Sequence, residues 1–467
     1  MGLMSALRRL AMRSIMLLRH RSGDRRMKAM IDELHEWELL NDDALSSKQQ
    51  QRLAQLLRHA FRHVPYYRRI LNEYGVVDAH EHVDIKRFSG IPILTKDAIR
   101  ANWEALKSDD LAGRQWYYNA SGGSTGELIR LIQDRAYDES VTAIKMFFDE
   151  WSGYRSGERK VFLWGSRRDL LVGAEGWKAR VLRWLNDELW LNAYRMSEAQ
   201  MRAYVEQINR FKPVQILAYA DSVDQLSRFI ERYDLNVYSP TAVMTSAGTL
   251  LPEMRERIER VFRAPVFNRY GSREVGDMAC ECRRHQGLHV SPLTHYVEIV
   301  RPDGAAAAAG EVGEVVVTSL GNYAMPLLRY RIGDLAAWAH TPCDCGCRWP
   351  LLKEVMGRIS DTFIAQDGVR VNGKYFHHLF YNREWIRRFQ VIQEDVGFVR
   401  ILIELADRNA VKEDYSKELG DLENNVITIL GRDCRVGFEF PEEILPTRSG
   451  KYLYTISKLS NGQIAGR

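Results

Sequence analysis

One run of small residues constrains this chain most. Residues 121–126 read SGGSTG and directly follow an aromatic stretch. Glycines let backbone N–H groups turn toward an anion where a Cβ would clash, and Ser and Thr hydroxyls add further donors. The run therefore predicts a phosphate-binding loop made of Ser121, Gly122, Gly123, Ser124, Thr125 and Gly126. It is not a Walker loop, because Glu127 and Leu128 follow it in place of Lys and Ser or Thr. A plain Ser/Gly linker is the competing interpretation.

Four further phrases follow this run in a fixed order along the chain. They are NRYGSREVG at 268–276, YRIGD at 330–334, GRISD at 357–361 and PTRSGK at 446–451. The first comes after a short apolar segment, so we expect it at the carboxyl end of a strand, where open α/β sheets place ligands. Each phrase alone is a weak signal, but five in order along one chain are specific.

With these phrases the chain resembles the adenylate-forming superfamily and, within it, the phenylacetate–CoA ligase-like branch that includes capsule-biosynthesis (CapK-like) relatives. The segments VPYYRRIL (64–71) and IPILTKDAIR (91–100) are also similar to that branch. The resemblance implies a mixed α/β (α+β) fold, with a large multi-sheet amino-terminal domain and a small mobile α+β carboxyl-terminal domain. It also implies ATP and Mg²⁺ as requirements, with a small carboxylic acid as substrate.

The expected organisation has three parts. Residues 1–45 form a basic amphipathic extension, residues 46–356 a large nucleotide- and substrate-binding domain, and residues 357–467 a small lid domain. With 467 residues, 45% of them hydrophobic, the chain can bury an extensive core in more than one domain. Apolar runs alternate with helical stretches, as in an α/β body. The runs expected to be strands are 161–164, 215–219, 242–245, 296–300 and 314–318.

The amino terminus carries most of the positive charge. Its first 30 residues hold eight Arg or Lys and one acid, with apolar residues near helical spacing. A basic amphipathic helix on an anionic lipid surface is one interpretation, and a terminal helix docked on its own protein is the other. No stretch approaches the roughly 18 uninterrupted apolar residues that cross a bilayer. We expect a cytoplasmic protein, with peripheral contact at the inner face of the membrane as a hypothesis, and no nucleic-acid partner.

The chemistry implied by the resemblance requires specific side chains. Activation of a carboxylate by ATP brings anions together, so the site must neutralise charge on the phosphates. Glu274 is the predicted Mg²⁺ ligand, and Asp334 would accept hydrogen bonds from the ribose hydroxyls. Lys451 is the predicted catalytic cation, and Arg358 could also reach the nucleotide. Ordinary roles compete with these: a turn cap for Asp334, a helix-start acid for Glu274 and a solvated terminal lysine for Lys451.

The resemblance assigns further positions by their place in the phrases. Asp361 is the expected hinge between two domain arrangements, and Tyr270 is the aromatic residue expected to pack against the base. The remaining nucleotide-binding candidates are Ser246, Ala247, Gly248, Gly271 and Ser272. Candidates for the substrate wall are Trp164, Tyr219 and Ser222. Arg273 departs from the superfamily pattern, which has Thr at that position.

Five of the six cysteines fall into two groups. Cys280 and Cys282 precede two histidines, and the second group follows about sixty residues later; the full set is Cys280, Cys282, His285, His289, Cys343, Cys345 and Cys347. Clusters of soft ligands in a chain of this kind indicate structural zinc rather than disulfides. The favoured ligands are Cys282, His285, Cys343 and Cys345, with Cys280 and Cys347 as replacements, within a zinc-binding segment at about 280–347. Free cysteines without metal are the alternative.

The functional hypotheses differ in which acceptor receives the activated acyl group. A phenylacetate–CoA ligase-like enzyme would transfer the group to the thiol of CoA after rotation of the small domain. The capsule-type alternative is an amide ligase that acylates an amine of a sugar or amino acid in capsule or exopolysaccharide biosynthesis. A non-catalytic nucleotide-binding module is the third hypothesis.

Overall fold

The computed structural model describes residues 23–122, 128–164, 183–193, 196–248, 250, 252–301, 303–356, 362–380, 383, 385–405, 415–444 and 455–459. These residues form a mixed α/β protein with one large multi-stranded sheet, so the predicted fold class is confirmed. Among the described helices, none combines the length and the apolar composition that a bilayer crossing requires.

Ten α-helices lie in the described segments. They are α1 (Gly23–Glu38), α2 (Asp42–His63), α3 (Pro65–Glu73), α4 (Lys96–Ala101), α5 (Arg135–Trp151), α6 (Glu198–Phe211), α7 (Ala220–Arg232), α8 (Pro252–Phe262), α9 (Lys374–Leu379) and α10 (Ser416–Leu430). Side-chain caps fix where several of them begin. The Asp134 carboxylate accepts from the backbone N–H of Tyr137 at the start of α5, and Ser197 forms a capping box with Gln200 at the start of α6.

Nineteen strands lie in the same segments. They are β1 (Trp116–Gly122), β2 (Leu128–Asp134), β3 (Lys160–Trp164), β4 (Glu188–Asn192), β5 (Gln215–Tyr219), β6 (Ala242–Ser246), β7 (Val266–Ser272), β8 (Gly276–Glu281), β9 (Leu288–Val290), β10 (His295–Val300), β11 (Val312–Ser319), β12 (Tyr330–Trp338), β13 (Leu351–Met356), β14 (Thr362–Ile364), β15 (Arg370–Asn372), β16 (Ile386–Asp395), β17 (Phe398–Leu405), β18 (Arg435–Glu439) and β19 (Thr455–Ser457).

The large sheet has eleven strands in the order β10-β11-β12-β13-β9-β8-β7-β6-β5-β3-β4. The strands from β4 to β7 pair in parallel, and those from β7 to β10 pair antiparallel, so β7 belongs to both halves. Because the carboxyl ends of parallel strands meet at one edge, Trp164, Tyr219 and Ser246 all lie at that edge. Strands β5 and β6 are buried at every position and thus on both faces, which explains their largely apolar sequences.

Helix α1 docks on the body of the protein. Leu34 and Trp37 are buried against Phe147 of α5 and Trp349. The indole N–H of Trp349 also donates to the backbone carbonyl of Trp37 at 3.2 Å. Helix α2 follows and runs through position 45, where the sequence analysis places the end of the extension. Residues 1–22, which hold much of the basic charge, lie outside the described residues.

The carboxyl-terminal region contains a separate four-stranded sheet in the order β18-β17-β16-β19. Strands β16 and β17 are antiparallel, and the two outer strands pair with them in parallel. Helix α10 buries Leu422, Val426 and Ile429. Phe380 and Phe389 stack with ring centroids 3.9 Å apart. This α+β unit lies within residues 357–467, where the sequence predicts the small domain.

Candidate functional site

A tight hairpin carries the phrase at 268–276. Strand β7 ends at Ser272, the turn contains Glu274, and β8 returns from Gly276. A Cβ built on Gly271 would lie 2.5 Å from the carbonyl oxygen of Gly276, so only glycine fits there. Gly276 has φ of +83°, a conformation that side chains disfavour. The two glycines therefore allow the hairpin to close and bring Glu274 back toward the sheet.

Strand β12 carries the second phrase on a bulge. Arg331 pairs with Val316 and Leu335 with Glu314, so β12 has two more residues than β11 between these pairs. Gly333 lies inside the bulge with φ of +88°. Bulges re-aim neighbouring side chains. The glycine of YRIGD thus permits the turn of the backbone that directs Asp334 toward β7.

Two side-chain contacts join the hairpin to β12. The Tyr270 hydroxyl donates to Oδ2 of Asp334 at 2.9 Å. The Tyr330 hydroxyl donates to Oε1 of Glu274 at 3.4 Å. The two phrases, sixty-four residues apart at Tyr270 and Asp334, therefore meet at two points.

The residues at this place fit a magnesium-bound nucleotide. Glu274 is only 6% exposed, and a buried carboxylate needs a hydrogen-bonded or cationic partner. Its oxygens are the hard ligands that Mg²⁺ prefers. Within the described part of the chain, Ser272 Oγ is buried without a hydrogen-bond partner, so this predicted binding residue has a hydroxyl to offer. Asp334 is partly exposed, as a contact to ribose requires.

The edge of the parallel strands supplies the other predicted residues. Ser246 is buried at the end of β6, and Ala247 follows it with φ of +57°, an uncommon value for a residue with a side chain. Gly248 comes next. Strained backbone of this kind clusters at binding sites, which agrees with the role predicted for this segment.

The substrate-wall candidates divide into two kinds. Trp164 and Tyr219 end neighbouring strands, and their rings lie 4.1 Å apart between centroids at an angle of 34°. They form a continuous aromatic surface. Ser222 is instead buried in α7 and donates to the carbonyl of Ala193 at 3.3 Å, so its hydroxyl ties α7 to the residue after β4.

Several predicted residues cannot be located in this geometry. Outside the described residues lie Gly123, Ser124, Thr125, Gly126, Arg358, Asp361 and Lys451. The backbone of Ser121 and Gly122 is described: they end β1 and pair with Ile129 and Leu128 of β2. Their roles, and that of the whole loop at 121–126, stay predictions.

Two residues that support the hairpin, Tyr330 and His295, were not predicted as site residues from the sequence. Tyr330 belongs to the YRIGD phrase, so the phrase itself was the signal for it. His295 begins β10, and its Nε2 donates to the carbonyl of Val275 at 2.8 Å, because a carbonyl can only accept. Its Nδ1 accepts from the Thr294 hydroxyl at 2.8 Å. No local pattern marks this histidine, since its partner is distant in sequence.

Burial controls the charge of His295. Desolvation of the wholly buried imidazole lowers its pKa to about 4, although the bond to Val275 opposes this shift. The ring is therefore neutral at pH 7, with the hydrogen on Nε2. This tautomer holds the carbonyl at the end of the hairpin turn.

A second site is formed by thiols and one imidazole. Cys282 follows β8, His289 lies on β9, and Cys343 and Cys345 lie in the loop between β12 and β13. Their four ligand atoms all lie within 4.8 Å of one another. Cys282 Sγ and Cys343 Sγ are 3.6 Å apart, and Cys345 Sγ is 3.4 Å from His289 Nε2. Ligands of tetrahedral zinc have similar spacing, since Zn–S bonds are about 2.3 Å long. The four residues fit a structural zinc ion.

His289 takes the place that the sequence analysis gave to His285. Strand β9 sets His289 opposite Cys280 of β8 and Leu351 of β13, beside the cysteine loop. His285 lies in the preceding turn with φ of +52°, and its Nδ1 is 3.2 Å from Glu281 Oε2. It joins an ion-pair cluster there instead of the thiols. The replacement candidate Cys280 is fully buried and contacts Met244.

Comparison with known proteins agrees with the resemblance. Residues 363–458 match the family model described as the CapK C-terminal domain. The chain is 24% identical to Protein CapK of Staphylococcus aureus over 421 residues, covering 88% of this chain and 89% of that protein. It is 26% identical to a phenylacetate-coenzyme A ligase of Thermus thermophilus over 355 residues, covering 72% and 75%. A solved structure of 2-hydroxyisobutyryl-CoA ligase in complex with 2-HIB-AMP and CoA aligns with a TM-score of 0.59 at 18% identity, covering 91% and 92%.

These findings show the homologues and the fold of this chain. The chain has homologues in CapK and the phenylacetate-coenzyme A ligases, and it has the fold of the adenylate-forming CoA ligases. The resemblance read from the five phrases is confirmed. The CapK C-terminal match falls inside residues 357–467, the predicted small domain.

The lowered pKa of His295 predicts how stability changes with pH. The unfolded chain takes up a proton near pH 6.5, whereas the folded chain does so only near pH 4. The contribution of the neutral imidazole to the free energy of unfolding is therefore complete above pH 6.5. It falls by up to about 3 kcal/mol as the pH drops toward 4. In His295→Gln this contribution is absent. The difference in free energy of unfolding between wild type and variant should shrink by about that amount between pH 7 and pH 4 in urea titrations. A difference that is constant with pH would contradict the assignment.

Proposed function

We propose that this protein activates a carboxylic acid with ATP to an acyl-adenylate and transfers the acyl group to the thiol of CoA, with AMP as the leaving group. The observation that carries the proposal is the hydrogen bond between Tyr270 and Asp334, which joins two of the five phrases at one place. The nearby bond between Tyr330 and Glu274 supports it. The names of the phenylacetate-coenzyme A ligase relatives support the choice of CoA as acceptor.

In the first step a carboxylate oxygen attacks the α-phosphorus of ATP. The bond from that phosphorus to the β-phosphate oxygen breaks, and pyrophosphate leaves. Residues 121–126 would hold the β- and γ-phosphates through backbone N–H groups and hydroxyls. Glu274 would hold Mg²⁺, which supplies positive charge to the phosphate oxygens. Lys451 would offset charge on the reacting carboxylate and the α-phosphate.

The nucleoside would lie along the edge formed by β6, β7 and β12. Asp334 would accept hydrogen bonds from the ribose hydroxyls, and the bond from Tyr270 fixes the orientation of its carboxylate. The ring of Tyr270 would pack against the base, with residues 246–248 as the opposite wall. Arg358 would reach the phosphates from the start of the small domain, and Asp361 would act as its hinge. Trp164 and Tyr219 would contact the acyl group through their paired rings.

We also propose that Cys282, His289, Cys343 and Cys345 bind one structural Zn²⁺. The spacing of the four ligand atoms supports it. Burial lowers the pKa of His289 to about 4, so its imidazole is neutral at pH 7, as a metal ligand must be. The ion would join the β8–β9 segment to the loop after β12. These are the same segments that carry the candidate nucleotide site at their other ends.

The activation step predicts exchange of labelled pyrophosphate into ATP, stimulated by one member of a panel of carboxylic acids. With CoA added, mass spectrometry should show a thioester.

Asp334→Asn should raise KM for ATP about tenfold or more, because a carboxylate with two acceptor oxygens is lost. Glu314→Gln on the neighbouring strand β11, which pairs with the exposed Arg331, is the matched control and should change KM by less than twofold. Binding of ATP without exchange for any acid would indicate a nucleotide-binding module. Consumption of an added amine with CoA untouched would indicate the amide ligase.

Substitution of Lys451, the predicted catalytic cation, should lower the rate of the chemical step and leave the affinity for ATP nearly unchanged. We expect Lys451→Ala to lower the exchange rate at least about 100-fold while ATP affinity stays within about threefold, since charge on the carboxylate and α-phosphate builds up only during the reaction. The control is Lys458→Ala, a terminal lysine that pairs with Glu394 at the surface. Measurement of exchange and of ATP binding by calorimetry checks both. Full exchange activity in Lys451→Ala would refute the role.

The zinc proposal has a matched pair of histidines as its test. Freshly prepared reduced protein should contain about one zinc ion per chain by mass spectrometry of the metal. His289→Ala should lose most of this zinc, whereas His285→Ala should keep it, because His285 faces Glu281 instead of the thiols. Equal zinc content in the two variants would contradict the proposed ligand set.

A further inference from the structure

We propose that Gln133 is a positioning residue that couples the β1–β2 hairpin, whose strands flank the predicted phosphate loop, to the turn carrying Glu274. The inference rests on the proposed function, because it assigns Gln133 a role in placing the magnesium ligand relative to the phosphates. Gln133 lies on β2, is 1% exposed, and is not part of any of the five phrases.

The amide nitrogen of Gln133 holds the turn from one side. Its Nε2 donates to the carbonyl of Arg273 and to the carbonyl of Glu274, both at 3.2 Å. An NH₂ group has two hydrogens, and these two consecutive carbonyls use both. The backbone at Glu274 is therefore tied directly to β2, independently of the contact that its carboxylate makes with Tyr330.

The amide oxygen of Gln133 is held from the other strand of the β1–β2 hairpin. Asn119 Nδ2 on β1 donates to Gln133 Oε1 at 2.7 Å. The Tyr117 hydroxyl lies 3.1 Å from the same oxygen and 2.6 Å from an Asp138 carboxylate oxygen, which receives its single hydrogen as the shorter, charged partner. Burial and the Asp138 carboxylate raise the pKa of Tyr117, so this hydroxyl stays protonated. The amide can have only one orientation, since its nitrogen must face the two carbonyls.

This arrangement links two parts of the proposed site. Strand β1 leads into residues 121–126, and β2 follows that loop after Gly126 and Glu127. One buried side chain thus connects the hairpin on which the phosphate loop is built to the backbone of the predicted magnesium ligand. Mg²⁺ requires near-ideal ligand geometry at short distances. A change in the separation of these two segments should therefore weaken magnesium binding before it affects the acyl site.

Gln133 is buried and its amide nitrogen is bound to the carbonyls of Arg273 and Glu274, so its effect must pass through Glu274. The informative quantity is the Mg²⁺ concentration that gives half-maximal pyrophosphate exchange. In Gln133→Met, which keeps the side-chain length and removes both hydrogen-bonding ends, this concentration should rise about tenfold or more. The KM for the carboxylic acid should stay within about twofold.

A second buried glutamine supplies the matched control. Gln215 at the start of β5 is fully buried and donates to Asp149 and Ser152, and neither bond involves the carbonyls of Arg273 or Glu274. Gln215→Met removes an equivalent buried amide, so it should lower the melting temperature without shifting the Mg²⁺ dependence. An equal shift in both variants, or no shift in Gln133→Met, would overturn the inference.

Two further measurements keep the test decisive. If Gln133→Met does not fold, Asn119→Ala removes the donor that orients the amide, together with the 3.4 Å bond from Asn119 to the carbonyl of Arg273, and should shift the Mg²⁺ dependence about threefold in the same direction. Without that shift the inference fails.

If the wild type shows no exchange with any acid, the proposed activity fails by itself. Calorimetric binding of ATP at varied Mg²⁺ then compares wild type with Gln133→Met, where the same tenfold shift is expected and its absence refutes the role.

Discussion

The candidate site depends on how the backbone of one short turn is held. The three successive carbonyls of Arg273, Glu274 and Val275 each accept a hydrogen bond from a buried side chain, two from Gln133 and the third from His295. Backbone acceptors buried without partners are costly, so the fold must supply a donor to each. The donors come from β2 and β10, on opposite sides of the turn. Glu274 therefore has a fixed position before any ligand arrives, and the contacts with Tyr330 and between Tyr270 and Asp334 are built on that position.

The change of strand direction at β7 explains why the site forms here. On one side the parallel strands end together and place Trp164, Tyr219 and Ser246 at one edge of the sheet. On the other side the strands are antiparallel, and side-chain bonds join the turn after β7 to β12 through Glu274 and Tyr330 and join β7 to β12 through Tyr270 and Asp334. A purely parallel sheet would need a long crossover after each strand, and a purely antiparallel one would not align several carboxyl ends. The combination brings aromatic strand ends and two tyrosine-bonded carboxylates into one sheet.

Much of this could be predicted from the sequence, for reasons that are local. The runs at 215–219 and 242–245 correspond to β5 and to most of β6, because continuous apolar residues suit parallel strands. The phrases at 268–276 and 330–334 could be recognised in the sequence because their glycines are required by the backbone conformation of the phrase itself. The structure groups His289 rather than His285 with the three thiols, because this grouping depends on strand register, which the spacing of the two histidines in the sequence does not reveal. Gln133 and His295 were missed for the same reason: their partners lie 141 and 20 residues away.

The docking of α1 has a consequence for the order of events during synthesis. Trp37 gives its carbonyl to Trp349, a residue 312 positions later in the chain. At translation rates of about 5 to 20 residues per second, the ribosome needs roughly 15 to 60 seconds to make that interval. During this time the apolar side of α1 lacks its most distant partner. The contact of Trp37 with Trp349 therefore forms far later in synthesis than the contacts of a helix with only local neighbours, and a chaperone has that interval in which to bind α1.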